Sequence, residues 1–135
     1  MNMSGKILVV DDEEIVIKSC LRILGDADYE VEAVQSGFEA FEKLNENYYD
    51  VIILDIMMPK MDGYETCKAL KADEATKNIP VILLSAKGRN VDMQTGYDVG
   101  ADEYITKPFS PRKLVDRINT MLGHSDSSDI PKLAS

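Results

Sequence analysis

Long apolar runs are absent from this sequence of 135 residues. No stretch approaches the roughly 20 consecutive apolar residues that a helix needs to cross a bilayer. The first residues, Met1–Gly5, also lack the apolar core of a signal peptide. We therefore expect a cytoplasmic protein without a membrane span. Hydrophobic residues make up 44% of the chain, which is enough for one domain with a real core.

Cysteine and basic residues are also scarce. The two cysteines, Cys20 and Cys67, fall on the apolar faces of predicted helices, which is typical of small buried side chains and not of a disulfide or a metal pair. Lys and Arg number 15 against 24 Asp and Glu, which leaves a formal net charge of −9. Because duplex binding depends on clustered Lys and Arg, this balance argues against nucleic-acid binding by this piece.

Strand and helix patterns alternate along the chain. Runs of branched apolar residues predict buried strands at Lys6–Val10, Val51–Leu54 and Val81–Leu84. Alternating residues from Tyr29 to Ala33 predict an edge strand with one wet side, and Glu103–Ile105 predicts a short fifth strand. Each strand is followed by an amphipathic helical pattern, so the order is βαβαβαβαβα.

The predicted helices have recognisable ends. Gly25 is expected to close the first helix. Ser36 and Glu39 have the spacing of a capping box at the start of the second. The fourth helix, over residues 90–99, has the weakest apolar stripe, and Ser110 is expected to cap the last helix.

This order predicts an α/β fold with a parallel sheet covered on both faces. Right-handed crossovers and five strands favour the flavodoxin-like doubly wound (βα)5 arrangement with strand order 2-1-3-4-5. In such sheets, ligands bind at the carboxyl ends of the strands, at the point where the strand order reverses. Here that point lies between the first and third strands, and each of these two runs ends in aspartate: Asp11 and Asp12 after the first, Asp55 after the third.

The three aspartates predict a cation site. Crowded carboxylates repel one another, and a hard divalent cation such as Mg²⁺ removes the repulsion while leaving room for phosphate oxygens. Lys107 ends the fifth strand and can bring a positive charge to the same edge, and Ser85 ends the fourth and adds a hydroxyl donor. This set suits an aspartyl phosphate on Asp55. The acidic residues that come next, Glu13 and Glu14, are explained by the helix dipole.

Several motifs resemble one known family. In the family's order and spacing, the sequence resembles the receiver domains of two-component response regulators over about residues 5–123, at Val9–Glu13, Leu54–Pro59 with Asp62-Gly63, Ser85-Ala86 and Gly100–Phe109. We therefore divide the chain into a receiver domain at 1–123 and a polar C-terminal tail, or the start of a linker, at 124–135.

The resemblance implies a role for each acidic residue. Asp55 would accept a phosphoryl group from a sensor histidine kinase or a phosphotransfer protein, so that the domain would catalyse its own phosphorylation and dephosphorylation without being a conventional enzyme. Mg²⁺ would be held by Asp12, Asp55 and the backbone carbonyl of Met57, with Asp11 acting partly through water.

The resemblance also implies roles at the other strand ends. Ser85 and Lys107 would each contact a phosphoryl oxygen, and the Lys107–Pro108 bond would be cis. Ser85 and Tyr104 would act as the switch residues, altering the surface made by the fourth helix, fifth strand and fifth helix. The cognate kinase, the downstream target or effector domain, and a phosphorylation-dependent dimer are left open.

Two further positions bear on the lifetime of the phosphate. Met57 and Lys87 each lie two residues after a site residue, and these positions vary in the family. Met57 offers an attacking water no useful hydrogen bond, and a protonated Lys87 cannot act as its base. We therefore expect a longer-lived phosphate than in family members with an amide and a carboxylate there.

Three other interpretations compete with this one. A haloacid-dehalogenase-type phosphohydrolase would carry Asp-x-Asp after its first strand, where this chain has Asp11-Asp12-Glu13, and would need room for a cap domain. A flavin-binding flavodoxin would need a Ser/Thr/Gly-rich phosphate loop at that position. A pseudo-receiver used only for protein contacts would not need all five site residues.

Overall fold

Five parallel strands form one sheet in the computed structural model, which describes residues 5–58, 62–86 and 97–123. The strands are β1 (Lys6–Val10), β2 (Glu30–Val34), β3 (Val51–Asp55), β4 (Val81–Ala86) and β5 (Glu103–Lys107). Their order in the sheet is β2-β1-β3-β4-β5, so the predicted strand order is confirmed. All four pairings are parallel, and Asp55 lies opposite Leu84 in the β3–β4 register.

Four helices are described between and after the strands. They are α1 (Glu14–Asp26), α2 (Gly37–Glu46), α3 (Gly63–Ala72) and α4 (Pro111–Met121). The helix predicted over residues 90–99 lies mostly outside the described residues, and only 97 and 98 at its end are described as helical. Among the described residues, each helix is too short or too polar to span a bilayer.

Alternate residues of the buried strands build two cores. On one face, Leu8, Ile52 and Leu83 pack with Ala40 of α2 and Cys67 of α3. On the other face, the intervening strand residues pack with α1 and α4, through Cys20, Leu24, Leu114 and Ile118 among others. Both cysteines are fully buried, as expected, and neither is part of a disulfide bond. The sheet is therefore covered on both sides, which leaves the strand ends as the place where a site can open.

Helix starts follow the sequence signals, with one difference. Asp62 and Glu65 form a reciprocal capping box at the start of α3. Ser36 accepts a hydrogen bond from the Glu39 backbone N–H, but the Glu39 carboxylate accepts from the backbone N–H of Gln35 instead of closing the box on Ser36. The expected box at α2 is thus only half formed, with its second bond moved one residue back along the chain.

The end of α1 also differs from the prediction. Gly25 does not close the helix, which continues to Asp26. The left-handed backbone conformation falls three residues later, at Asp28, whose φ is +71°. Asp and Asn adopt this region more readily than most residues. The turn brings Tyr29 back so that its backbone N–H donates to the Leu24 carbonyl at 3.0 Å.

Candidate functional site

Four of the expected site residues lie at the carboxyl ends of neighbouring strands. Asp11 follows β1, Asp55 ends β3, Ser85 is the fifth residue of β4 and Lys107 ends β5. One carboxylate oxygen from each of Asp11, Asp12 and Asp55 lies within 4.8 Å of the other two. Asp11 and Asp55 are buried and Asp12 is exposed, so the cluster has a closed floor and an open side. Its three oxygens are ligands that suit a hard divalent cation such as Mg²⁺.

Lys107 provides the positive charge of the site. Its Nζ lies 3.2 Å from Asp55 Oδ1, 3.4 Å from Asp11 Oδ2 and 2.9 Å from Glu13 Oε1. Only 13% of the lysine side chain is exposed. An ammonium group has three N–H donors, and here three carboxylates surround it. The Asp55 carboxylate therefore lies next to the Lys107 ammonium and also next to the carboxylates of Asp11 and Asp12.

Burial dominates the electrostatics of the carboxylates. It raises the pKa of Asp55 from 3.8 to about 6, with the charge of Asp11 acting in the same direction and the Lys107 ammonium opposing both. Burial likewise raises the pKa of Asp11, against the lowering effect of hydrogen bonds from the Glu13 backbone and Lys107. Burial would lower the pKa of Lys107, but its bond to Glu13 and the charges of Asp55 and Asp11 raise it on balance.

Backbone contacts hold Asp55 in place. The backbone N–H of Met57 donates a hydrogen bond to the Asp55 carboxylate. The backbone N–H of Gly63 donates to the Ile56 carbonyl at 2.9 Å, which brings the start of α3 against the end of β3. A Cβ at position 63 would lie 2.3 Å from the Asp55 carbonyl oxygen. Gly63 is therefore required for this approach, and it explains the glycine that follows Asp62 in the sequence.

The two expected switch residues lie on neighbouring strands. Ser85 is 7% exposed and lies one residue beyond Leu84, the β4 partner of Asp55. Tyr104 is half-buried on β5, and its hydroxyl donates to the Tyr64 hydroxyl at 3.0 Å. Its ring meets the Tyr97 ring edge-on, with centroids 5.6 Å apart. Tyr104 thus connects β5 with the start of α3 and with the segment that precedes β5.

Three further predictions concern residues around the site. The Lys107–Pro108 peptide bond is cis. Met57 is 53% exposed, and its effect on the lifetime of the phosphate stays a prediction. Lys87 lies outside the described residues.

Sequence reasoning missed the contact made by Glu13. This residue was explained by the helix dipole, yet its side chain makes no capping hydrogen bond to α1. Its carboxylate instead accepts a hydrogen bond from Lys107, 94 residues away. The only signal in the sequence was its place directly after the aspartate pair.

A family model described as "Response regulator receiver domain" matches residues 7–119. The chain belongs to this family. It is a receiver domain of the two-component response regulator type, which confirms the resemblance seen in the sequence. The matched range contains the three aspartates and, apart from Lys6 at the start of β1, all five strands of the sheet.

Individual relatives agree with the family assignment. The transcriptional regulatory protein SrrA of Staphylococcus aureus is 38% identical over 128 residues, which are 95% of this chain and 52% of SrrA. The chain therefore spans about half the length of the curated relatives it matches. The structure of the chemotaxis response regulator CheY4 of Vibrio cholerae is similar with a TM-score of 0.82 and 34% identity, over 88% of this chain and 99% of CheY4.

A third relative concerns the cation. The receiver domain of the sensor histidine kinase PA1611 from Pseudomonas aeruginosa has a TM-score of 0.76 and 30% identity, over 89% of this chain and 98% of that one. Its structure has a magnesium ion coordinated in the active-site cleft. The acidic cluster of Asp11, Asp12 and Asp55 is the place in this receiver domain that could hold a metal ion, among the residues that the structure describes.

Proposed function

We propose that this receiver domain takes a phosphoryl group onto Asp55 in a Mg²⁺-dependent reaction, with a histidine kinase or a phosphotransfer protein as the donor. The observation that carries the proposal is the position of the Asp55 carboxylate, 3.2 Å from Lys107 Nζ and within a cluster of three aspartates. A carboxylate that is 2% exposed, next to a lysine and at the end of a buried strand, has no evident role in packing.

The transfer follows from the arrangement of these groups. An ionised Asp55 oxygen attacks the phosphorus of the donor, the new P–O bond forms, and the bond between phosphorus and the leaving group breaks with its electron pair on the leaving group. Asp55 must be ionised to act, and with a pKa of about 6 it is largely ionised at neutral pH. Lys107 would pair with one phosphoryl oxygen, and the Ser85 hydroxyl would donate a hydrogen bond to another.

The proposed metal ligands are Asp12, Asp55 and the backbone carbonyl of Met57, with Asp11 acting partly through water. When bound, Mg²⁺ would offset the negative charge that develops on the phosphoryl oxygens. Asp11 is fully buried and already accepts hydrogen bonds from the Glu13 backbone and from Lys107, which supports an indirect role for it. Asp12 is exposed at the open side of the cluster, which supports direct coordination.

We further propose that phosphorylation alters the surface that includes β5 and α4. A phosphoryl group on Asp55 would draw Ser85 towards it, and Tyr104 would then turn inward. Tyr104 is half-buried and contacts Tyr64 and Tyr97, so a turn of its ring would change both contacts and the surface around them. The signal would then pass to a protein partner or an effector domain, since a net charge of −9 disfavours nucleic-acid binding by this piece.

The test is phosphorylation by a small-molecule donor. Acetyl phosphate with Mg²⁺ is added to the parent protein, and intact-mass measurement should show one added phosphoryl group. Asp55→Asn keeps the shape of the side chain but removes the nucleophile, so that variant should remain unlabelled. Asp26→Asn, which changes an exposed aspartate at the end of α1, is the matched control and should label like the parent. Full labelling of Asp55→Asn would overturn the assignment, and an unlabelled parent would favour a pseudo-receiver.

A further inference from the structure

Glu13 makes a contact that its position at a helix start does not require. It stands immediately before α1 in an extended conformation, and its side chain makes no capping hydrogen bond. Its backbone N–H donates to Asp11 Oδ1 at 2.9 Å, which anchors this residue to the floor of the site. Its carboxylate reaches Lys107 Nζ at 2.9 Å, the shortest of the lysine's three contacts with carboxylates.

The three N–H donors of Lys107 are therefore matched by three carboxylates before any phosphate arrives. When Asp55 carries a phosphoryl group, a phosphoryl oxygen can take over the contact that Asp55 itself made with the ammonium, but a second contact of this kind requires Asp11 or Glu13 to give way. Asp11 is fully buried, and a buried carboxylate deprived of its partner is costly. The Glu13 side chain is 56% exposed, so water can replace the lysine at little cost. Of these two, Glu13 is thus the partner that can be displaced.

We propose that Glu13 is a positioning residue that holds Lys107 in the unphosphorylated protein and releases it to the incoming phosphoryl group. The inference rests on the proposed phosphorylation of Asp55. Glu13 competes with the phosphoryl oxygen for the same ammonium, so its removal should favour the phosphorylated arrangement. A carboxylate that served only the helix dipole, as Glu14 can in the first turn of α1, would have no such effect.

The first measurement examines the contact itself, without metal or phosphate. The Lys107 ammonium signal is followed by NMR in the parent, in Glu13→Gln and in Glu14→Gln, and is assigned by its loss in Lys107→Arg. We expect the signal to shift in Glu13→Gln and to remain in place in Glu14→Gln, which removes the same charge one residue away. An unmoved signal in Glu13→Gln would overturn the inference. Backbone amide spectra of the same samples report whether each variant is folded.

The second measurement examines the competition. The affinity for beryllofluoride, a phosphate mimic, is titrated in the presence of Mg²⁺. Since exposed ion pairs are weak, we expect Glu13→Gln to bind about two- to fivefold more tightly than the parent. Glu14→Gln should match the parent, and Glu13→Ala should repeat the result if Glu13→Gln folds poorly. Equal affinity in the parent and both Glu13 variants would refute the role of Glu13, whereas a parent that binds no beryllofluoride would refute the proposed function instead.

Discussion

Replacing Asp55 by asparagine should stabilise the metal-free protein at neutral pH. Burial and the nearby Asp11 raise the pKa of Asp55 from 3.8 to about 6, which means that the folded chain binds this proton more tightly than the unfolded chain does. The resulting contribution to stability is fully present below pH 3.8 and is lost as the pH rises through about 6. At pH 7.5 the folded protein therefore carries the cost of a buried, ionised carboxylate.

The size of this cost follows from the shift. A difference of about 2 pKa units, at about 1.4 kcal/mol each, corresponds to roughly 3 kcal/mol. Asn has the shape of the protonated acid but does not titrate. Asp55→Asn should therefore raise the free energy of unfolding by up to about 3 kcal/mol at pH 7.5 and by little near pH 4. Because Asp55 is only 2% exposed, solvent screening takes little from this figure.

Urea unfolding with EDTA measures the effect. The chain has no tryptophan, so far-UV circular dichroism is the suitable signal. The parent, Asp55→Asn and the exposed control Asp26→Asn are compared at pH 4, 5.5 and 7.5. Asp55→Asn should gain much more stability with rising pH than Asp26→Asn, which removes a carboxylate that is disfavoured only by the C-terminal end of the α1 dipole. A loss of stability in Asp55→Asn at pH 7.5, or a gain that is the same at all three pH values, would refute the reasoning.

Three further outcomes are expected. Mg²⁺ at tenfold above its dissociation constant should stabilise the parent by about 1.4 kcal/mol, and Asp12→Ala should abolish that gain in thermal melts; an equal gain in the variant would remove Asp12 from the metal site. Gly63→Ala should lower the free energy of unfolding, measured in urea, by about 1–3 kcal/mol because the added Cβ would lie 2.3 Å from the last carbonyl oxygen of β3. Gly25→Ala should be neutral or stabilising because an added Cβ there would meet no atom within 4 Å. Met57→Asn combined with Lys87→Glu should speed phosphate loss at least several-fold in excess Mg²⁺, as followed by intact mass; an unchanged or slower rate would mean that these positions do not control the lifetime.

Much of the fold could be predicted because its signals are local. A run such as Val51–Leu54 is apolar at every position, which indicates a strand buried on both faces and hence a parallel sheet. Once strands and helices alternate, the right-handed crossover rule leaves few strand orders, and the observed one has Asp11 and Asp55 at adjacent strand ends. The convergence of these two aspartates therefore follows from patterns that each span fewer than about ten residues.

Helix ends could be predicted less well, since several residues can satisfy the same backbone groups. Gly25 is the residue that a local pattern selects as the end of α1, but the left-handed turn falls at Asp28. The Glu39 carboxylate likewise bonds the backbone of Gln35 instead of Ser36. In both cases the alternatives lie within a few residues of each other, and a local sequence pattern does not distinguish between them.

Contacts between distant residues were decided by the tertiary structure alone. Tyr49 is fully buried and donates its hydroxyl hydrogen bond to Glu32 on β2, and no pattern around either residue indicates this pair. Glu13 and Lys107 are 94 residues apart and meet because β1 and β5 end at the same edge of the sheet. Sequence patterns determine which residues form the strand ends. Which of several hydrogen-bond acceptors a side chain contacts depends on distances and burial that exist only once the chain has folded.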